Sequence, residues 1–246
     1  MNKFLFQIVI ISLLFVSNLV AAQTKHIAHN NDLWSTIYGN LKINEKWGTD
    51  LELHFRTANM GSDKQQILVR PSIYYMLNKN LSFNIGYTHI ETYPYGEQAI
   101  AFQTPENNIW AQILLKQNIS KINISHRYRY ESRWIGNIAL LNGIEYLEKY
   151  THRNRFRYRL SLSRTIKTSK FSIKIFNELF INFDDEIVKN PLDQYWFFAG
   201  INYKINKIFG AGIGYMWQVI NKSDGIKQES NNTLQLSFNY KINNNK

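Results

Sequence analysis

The chain has 246 residues, 44% hydrophobic, 19% charged and 15% aromatic, with no cysteine and a formal net charge of +11. The apolar and aromatic fractions exclude a disordered chain, and the absence of cysteine excludes a disulfide framework, a thiolate metal site and a catalytic thiol. A mean hydropathy of −0.35 argues against a polytopic helical membrane protein, because only the N-terminus approaches the roughly 20 apolar residues that a spanning helix needs.

In chain order, Met1-Asn2-Lys3 leads into a mostly apolar run over 4–20 and then Val20-Ala21-Ala22-Gln23. A basic start, an apolar stretch and a small-x-small end predict a secretory signal peptide over 1–22, cleaved after Ala22. Gln7, Ser12, Ser17 and Asn18 interrupt the run and disfavour an uncleaved anchor, and no Cys follows to make a lipoprotein. Residues 23–246 are then the exported domain, and an exported chain without cysteine fits an envelope protein.

From there the apolar period is two, not 3.6. Leu51, Leu53 and Phe55 alternate with Glu52, His54 and Arg56; Leu81, Phe83, Ile85 and Tyr87 alternate with Ser82, Asn84, Gly86 and Thr88. Tyr128 and Tyr130 alternate with Arg127, Arg129 and Glu131, and Phe156, Tyr158 and Leu160 with Arg155, Arg157 and Arg159. The last run alternates Leu234, Leu236, Phe238 and Tyr240 with Gln235, Ser237 and Asn239. Eleven such runs of about ten residues lie near 33–43, 48–57, 65–77, 81–92, 108–118, 121–133, 151–165, 170–182, 192–205, 208–220 and 231–242. Short links such as 44–47 and 78–80 alternate with longer ones near 58–64, 93–107, 134–150, 183–191 and 221–230.

Runs long enough for a tilted bilayer crossing, with short turns on one side and long loops on the other, predict an all-β fold: a transmembrane antiparallel up-and-down β-barrel. A soluble barrel would bury the apolar rail, whereas a membrane barrel turns it to lipid and lines its lumen with the charges. Aromatics recurring at run ends (Trp34, Trp47, Tyr87, Trp110, Trp134, Trp196, Tyr215, Trp217) fit interfacial girdles and favour the membrane barrel. Bacterial single-chain barrels have an even number of strands, so about 12 are expected. The twelfth would come from the polar segment 23–32, which could instead thread the lumen, or from Ile138 to Leu147 in the longest link.

The residues Asp32-Leu33-Trp34-Ser35, Leu51 to Arg56, Leu81 to Tyr87, His126 to Tyr130 and Arg153-Asn154-Arg155-Phe156-Arg157-Tyr158 together resemble the DUF2490 family. The resemblance implies an uncharacterised outer-membrane β-barrel of the Bacteroidota, located in the bacterial cell outer membrane. It implies no particular activity. Ser35 stands where Thr looks more usual.

The candidate chemistry is concentrated on one rail. Arg127, Arg129, Arg133, Arg153, Arg155, Arg157 and Arg159 would line the lumen on two neighbouring strands, with His54, Arg56 and Lys174 on others and Glu52, Glu131 and Glu178 as carboxylate partners. Such a rail either focuses the field on passing anions or forms an Arg-carboxylate ladder that fills a narrow barrel. No enzyme is expected: there is no His-x-Ser motif, the adjacent Ser125 and His126 point to opposite faces of a strand, and His89 and Glu91 have no serine on their rail. His26 and His29 alone do not make a metal site, and no cofactor is expected. The expected partners are outer-membrane lipid and the barrel insertion machinery, which would read the closing Leu234-x-Leu236-x-Phe238-x-Tyr240 segment; the protein would be a monomer. Nucleic acid, the usual inference from a pI near 9.6, is excluded by export. The alternative role is a structural or surface-interaction barrel acting through the 93–107 and 134–150 loops.

Overall fold

Each alternating run becomes a strand because one rail can be apolar and the other polar only on a pleated backbone, where side chains change face at every residue. The computed structural model describes residues 25–166, 169–183 and 189–243. The expected signal peptide over 1–22 lies outside the described residues, as do parts of the 166–169 and 183–191 links. Eleven strands run through the described residues: β1 (His26–Lys42), β2 (Trp47–Ala58), β3 (Asp63–Met76), β4 (Leu81–Thr92), β5 (Thr104–Ile119) and β6 (Ile122–Leu141). They continue with β7 (Ile144–Thr165), β8 (Phe171–Asn182), β9 (Leu192–Lys204), β10 (Phe209–Asn221) and β11 (Lys227–Asn243).

Neighbours in sequence pair antiparallel, and β1 pairs with β11 to close the barrel. Because eleven is odd, β1 and β11 run in the same direction, so the closing pair is parallel, in register from His26↔Lys227 to Lys42↔Asn243. No separate twelfth strand occurs among the described residues. From His26 onward the polar N-terminal segment is the first part of β1, with Asn30 and Asp32 turned inward and buried. Ile138 to Leu147 extends the β6–β7 pair to a tight turn at Asn142-Gly143. Both turn residues have positive φ (51° and 81°), as a two-residue hairpin turn requires and as Asn-Gly tolerates.

Three links on one rim share a device. Asn44, Asn78 and Asn206 each accept two backbone N–H bonds from the residues two and three positions on, at 2.8–3.0 Å, an Asx turn that sends the next strand back. The opposite rim carries the 93–103 and 183–191 links and the β6–β7 projection, and we refer to the two as the turn rim and the loop rim. Strands of 12 to 22 residues exceed the expected ten, because pairing continues past the apolar belt at the loop rim.

The apolar rail faces outward: Ile85 is 65% exposed, and Leu51, Phe55, Ile109, Ile213 and Phe238 share that face. No helix among the described residues is long and apolar enough to cross a membrane; the apolar exterior belongs to the strands, as in a transmembrane barrel. Among the aromatics expected in girdles, Trp47, Tyr87, Tyr215 and Trp217 are outside, but Trp34, Trp110 and Trp196 are buried within the barrel. Trp34 and Trp196 join Phe176, Phe180, Phe198 and Met216 in an internal apolar cluster. Those tryptophans sit on the polar rails of their strands, and parity decides their face.

Candidate functional site

The inward rails of β6 and β7 place arginines directly opposite each other: Arg127↔Arg159, Arg129↔Arg157 and Arg133↔Arg153, with Glu131↔Arg155 between them. Like charges opposed on one face repel, and the fold answers with carboxylates. Glu131, 1% exposed, accepts from Arg157 Nη1 at 2.7 Å and Arg155 Nη2 at 2.6 Å. Glu178 of β8, fully buried, accepts from Arg157 Nε at 2.9 Å and Arg159 Nε at 2.7 Å, and also from Arg127. Arg157 thus joins the two clusters. Arg155 reaches Asp193 at 2.7 Å, and Arg133 forms a two-toothed pair with Glu106 at 2.7 and 2.9 Å.

A second regularity is ring stacking. Arg129 lies over Trp110 (3.9 Å to the centroid), Arg157 over Phe180 (4.2 Å), Arg159 over Phe176 (4.1 Å) and Arg56 over Trp34 (3.8 Å). A guanidinium can hold a carboxylate in its plane and a ring on its face at once, which a lysine cannot. The inward aromatics are therefore supports for the arginines.

Of the residues singled out in the sequence, Arg127, Arg129, Arg155, Arg157, Arg159, Glu131 and Glu178 form one network. Arg129 joins it loosely, 3.8 Å from Glu131 and doubly bonded to Gln112 Oε1 at 3.0 and 2.8 Å. Glu52 is elsewhere, paired with Arg70 at 2.8 Å and with His54 at 3.1 Å. Arg153 does not line the central cavity, and its Nη1 donates to the His152 carbonyl at 3.1 Å. Sequence reasoning missed Glu106, Asp193 and Arg70. Glu106 falls in a stretch read as a link, although it shares parity with Asn108 and Gln112 on the inward rail.

The network borders a cavity of about 350 Å³. Eight cationic side chains line it (Arg56, Arg70, Arg127, Arg133, Arg155, Arg157, Arg159 and Lys174) against two carboxylates, Glu52 and Glu106. Glu131 and Glu178 are not among the lining residues: they lie behind their arginines. Across the lumen the wall is uncharged, with Asn202, Gln235, Ser237 and Asn239. At the loop rim the 93–103 link folds inward and reaches across to β11 and β1. Tyr95 donates to Glu229 Oε2 at 2.9 Å and Gln98 to the His26 carbonyl at 2.8 Å. Burial and the adjacent Glu229 push the Tyr95 phenol well up, so it stays a donor. At the turn rim an open vestibule of about 780 Å³ is lined by Lys42, Lys46, Lys79, Lys116 and Lys241 against Glu45 and Asp50.

One Ser–His contact escaped the sequence reading because its partners lie on different strands. Ser132 Oγ is 2.7 Å from His152 Nε2 across β6 and β7. His152 makes no ion pair with a carboxylate among the described residues, so it lacks the acidic orienting partner of a hydrolytic triad. His26 and His29, three apart in β1, point to opposite faces, and no group of three or more metal-ligating side chains occurs among the described residues.

The model of a family described as "Protein of unknown function (DUF2490)" matches residues 31–231. No curated protein matches the chain. Among solved structures, the NanC porin is similar with a TM-score of 0.52 at 13% identity, over 86% of this chain and 99% of that one. The beta domain of the Bordetella autotransporter Brka is similar with a TM-score of 0.45 at 11% identity, over 78% of this chain and 80% of that one. At 13% identity the likeness to the porin is one of fold.

Proposed function

The chain belongs to the DUF2490 family, and from the geometry of its lumen we propose that it is an outer-membrane barrel, not an enzyme, whose cationic interior admits small anions. The observation that carries this reading is the arrangement of charge about the cavity: eight cations face it against two carboxylates, and Glu131 and Glu178, which pair with the ladder without balancing its charge, are not among the residues that line it. Between low-dielectric walls such a surplus focuses the field toward anions. The lysine vestibule at the turn rim continues the same sign outward. The apolar exterior supports lipid as the surrounding partner, and the alternating Leu234 to Tyr240 segment supports recognition by the barrel insertion machinery. The protein acts as a monomer in this reading, since the barrel closes on itself.

Reconstituted into planar bilayers under a potassium chloride gradient, the protein is expected to give discrete conductance steps with a zero-current potential of the sign set by chloride. A cation-selective potential, or no conductance from correctly folded protein, would overturn the reading.

A second reading, a barrel that binds partners through its loops, has one observation in its favour. The β6–β7 hairpin beyond Ile135 pairs only with itself and presents Leu140, Leu141 and Ile144, all more than half exposed.

A further inference from the structure

The cavity's cations are not equivalent. Arg70, Arg127, Arg133, Arg155, Arg157 and Arg159 each form an ion pair with a carboxylate. Arg56 and Lys174 form none among the described residues. Arg56 stacks on Trp34 and donates through Nη1 to the amide oxygen of Gln66 at 2.6 Å, and its buried Nε has no partner. Among the described residues Lys174 has no hydrogen bond or ion pair, and the Phe176 ring lies 5.7 Å away. The two are also far apart: β2 and β8 lie on opposite sides of the closed barrel. Arg56 is near the loop-rim end of β2, and Lys174 is near the turn-rim end of β8.

A cation whose carboxylate is already in contact offers little to a third charge, whereas one without a carboxylate gains a charge-assisted bond from an arriving anion. Guanidiniums already cover the faces of Trp34, Phe176 and Phe180, three of the rings that line the cavity. The gain from an unpaired cation favours compact negative charge. Resting on the anion-admitting reading above, we infer that Arg56 and Lys174 are two separate holding points for a small oxyanion, phosphate or carboxylate. One serves each mouth, and the carboxylate-paired arginine ladder is the wall between them. Two weak sites in series suit passage, which needs binding good enough to enter and weak enough to leave.

The test uses the full chain in planar bilayers carrying a chloride current, with inorganic phosphate, and in a parallel series acetate, added to either side. Arg56→Gln is expected to raise the half-blocking phosphate concentration roughly tenfold from the loop-rim side only, the size of one lost charge-assisted bond. Lys174→Gln is expected to do so from the turn-rim side only. Arg56→Lys should restore part of the effect, and Lys64→Gln, an exposed loop-rim charge outside the cavity, should change neither. Block by phosphate alone, or by both anions, supports the inference and tells the sources apart; block by neither overturns it. An anion-selective wild type whose curves match those of both variants overturns the holding points and leaves the lumen reading standing, whereas a wild type without anion selectivity removes the lumen reading first. Should Arg56→Gln fail to fold, unchanged sided block in Arg56→Lys and Lys174→Gln together overturns the inference.

Discussion

Glu178 has no solvent exposure and faces three guanidiniums, those of Arg127, Arg157 and Arg159. Removing one member of a buried ion cluster leaves the others desolvated and unpaired, at a cost of about 3–5 kcal/mol. Glu178→Gln is therefore expected to lower the unfolding free energy of the vesicle-inserted barrel by about that amount in a denaturant titration. Loss of less than 1 kcal/mol would mean that Arg157, through Glu131, carries the cluster alone. The rings beneath the guanidiniums are held as closely. A Cβ on Gly86 would lie 2.4 Å from the Trp110 ring, so only glycine on β4 leaves room for the indole that supports Arg129. Residue by residue, the lumen is built as arginine planes with a carboxylate at the edge and a ring at the face.

At the scale of the element, the β6–β7 pair does two jobs along its length. β6 pairs with β5 up to Ile135 and β7 pairs with β8 from Arg155 onward, and these stretches carry most of the arginine rails; beyond Ile135 the two strands pair only with each other as far as Leu141↔Ile144. Cutting out 138–147 and closing with a short turn is therefore expected to leave the heat-shifted gel mobility and the conductance of the barrel unchanged. Loss of the heat shift would show that the projection is needed for closure. Much of this was legible in the sequence. Period two gave the inward and outward rails of β2, β4, β6, β7 and β11, and the Asn-led links at 44–47 and 78–80 marked turns, whereas the Asn142-Gly143 turn went unread inside the 134–150 link. Strand parity already placed Trp34 beside Asp32 and Thr36, and Trp110 beside Asn108 and Gln112, on polar rails; the expectation of girdles pulled them outward. The eleven strands were legible as eleven runs; a twelfth was expected only because such barrels usually have an even number, and the polar segment offered for it is the first half of β1, whose inward residues Asn30 and Asp32 pair with the polar start of β11. Glu131 and Glu178 stood out in the sequence as partners of the rail, but which arginines each holds was not legible, nor were Glu106 of β5 and Asp193 of β9, because only closure sets the depth of each strand.

For the whole molecule the sorting of side chains is the account: hydrocarbon outside, cations inside. A lysine on the outer face near the middle of the membrane costs about 2–4 kcal/mol. Ile85→Lys, on the outward rail of β4, is expected to lower the folded fraction accordingly when insertion into vesicles is followed by heat-shifted mobility; no change would place Ile85 outside the hydrocarbon. The charge surplus of the sequence is likewise sorted, with the arginine ladder and Lys174 in the lumen and a ring of lysines at the turn rim. The absence of native cysteine permits one measurement that addresses both faces together. Ser237 lines the cavity and its neighbour Phe238 is exposed on the outer face. In proteoliposomes, Ser237→Cys should react with water-soluble methanethiosulfonates, faster with a sulfonate-bearing reagent than with a trimethylammonium-bearing one, and Phe238→Cys should react with neither. Equal labelling at the two positions, or faster reaction of the cationic reagent at Ser237→Cys, would contradict a lipid-facing exterior around a cationic lumen.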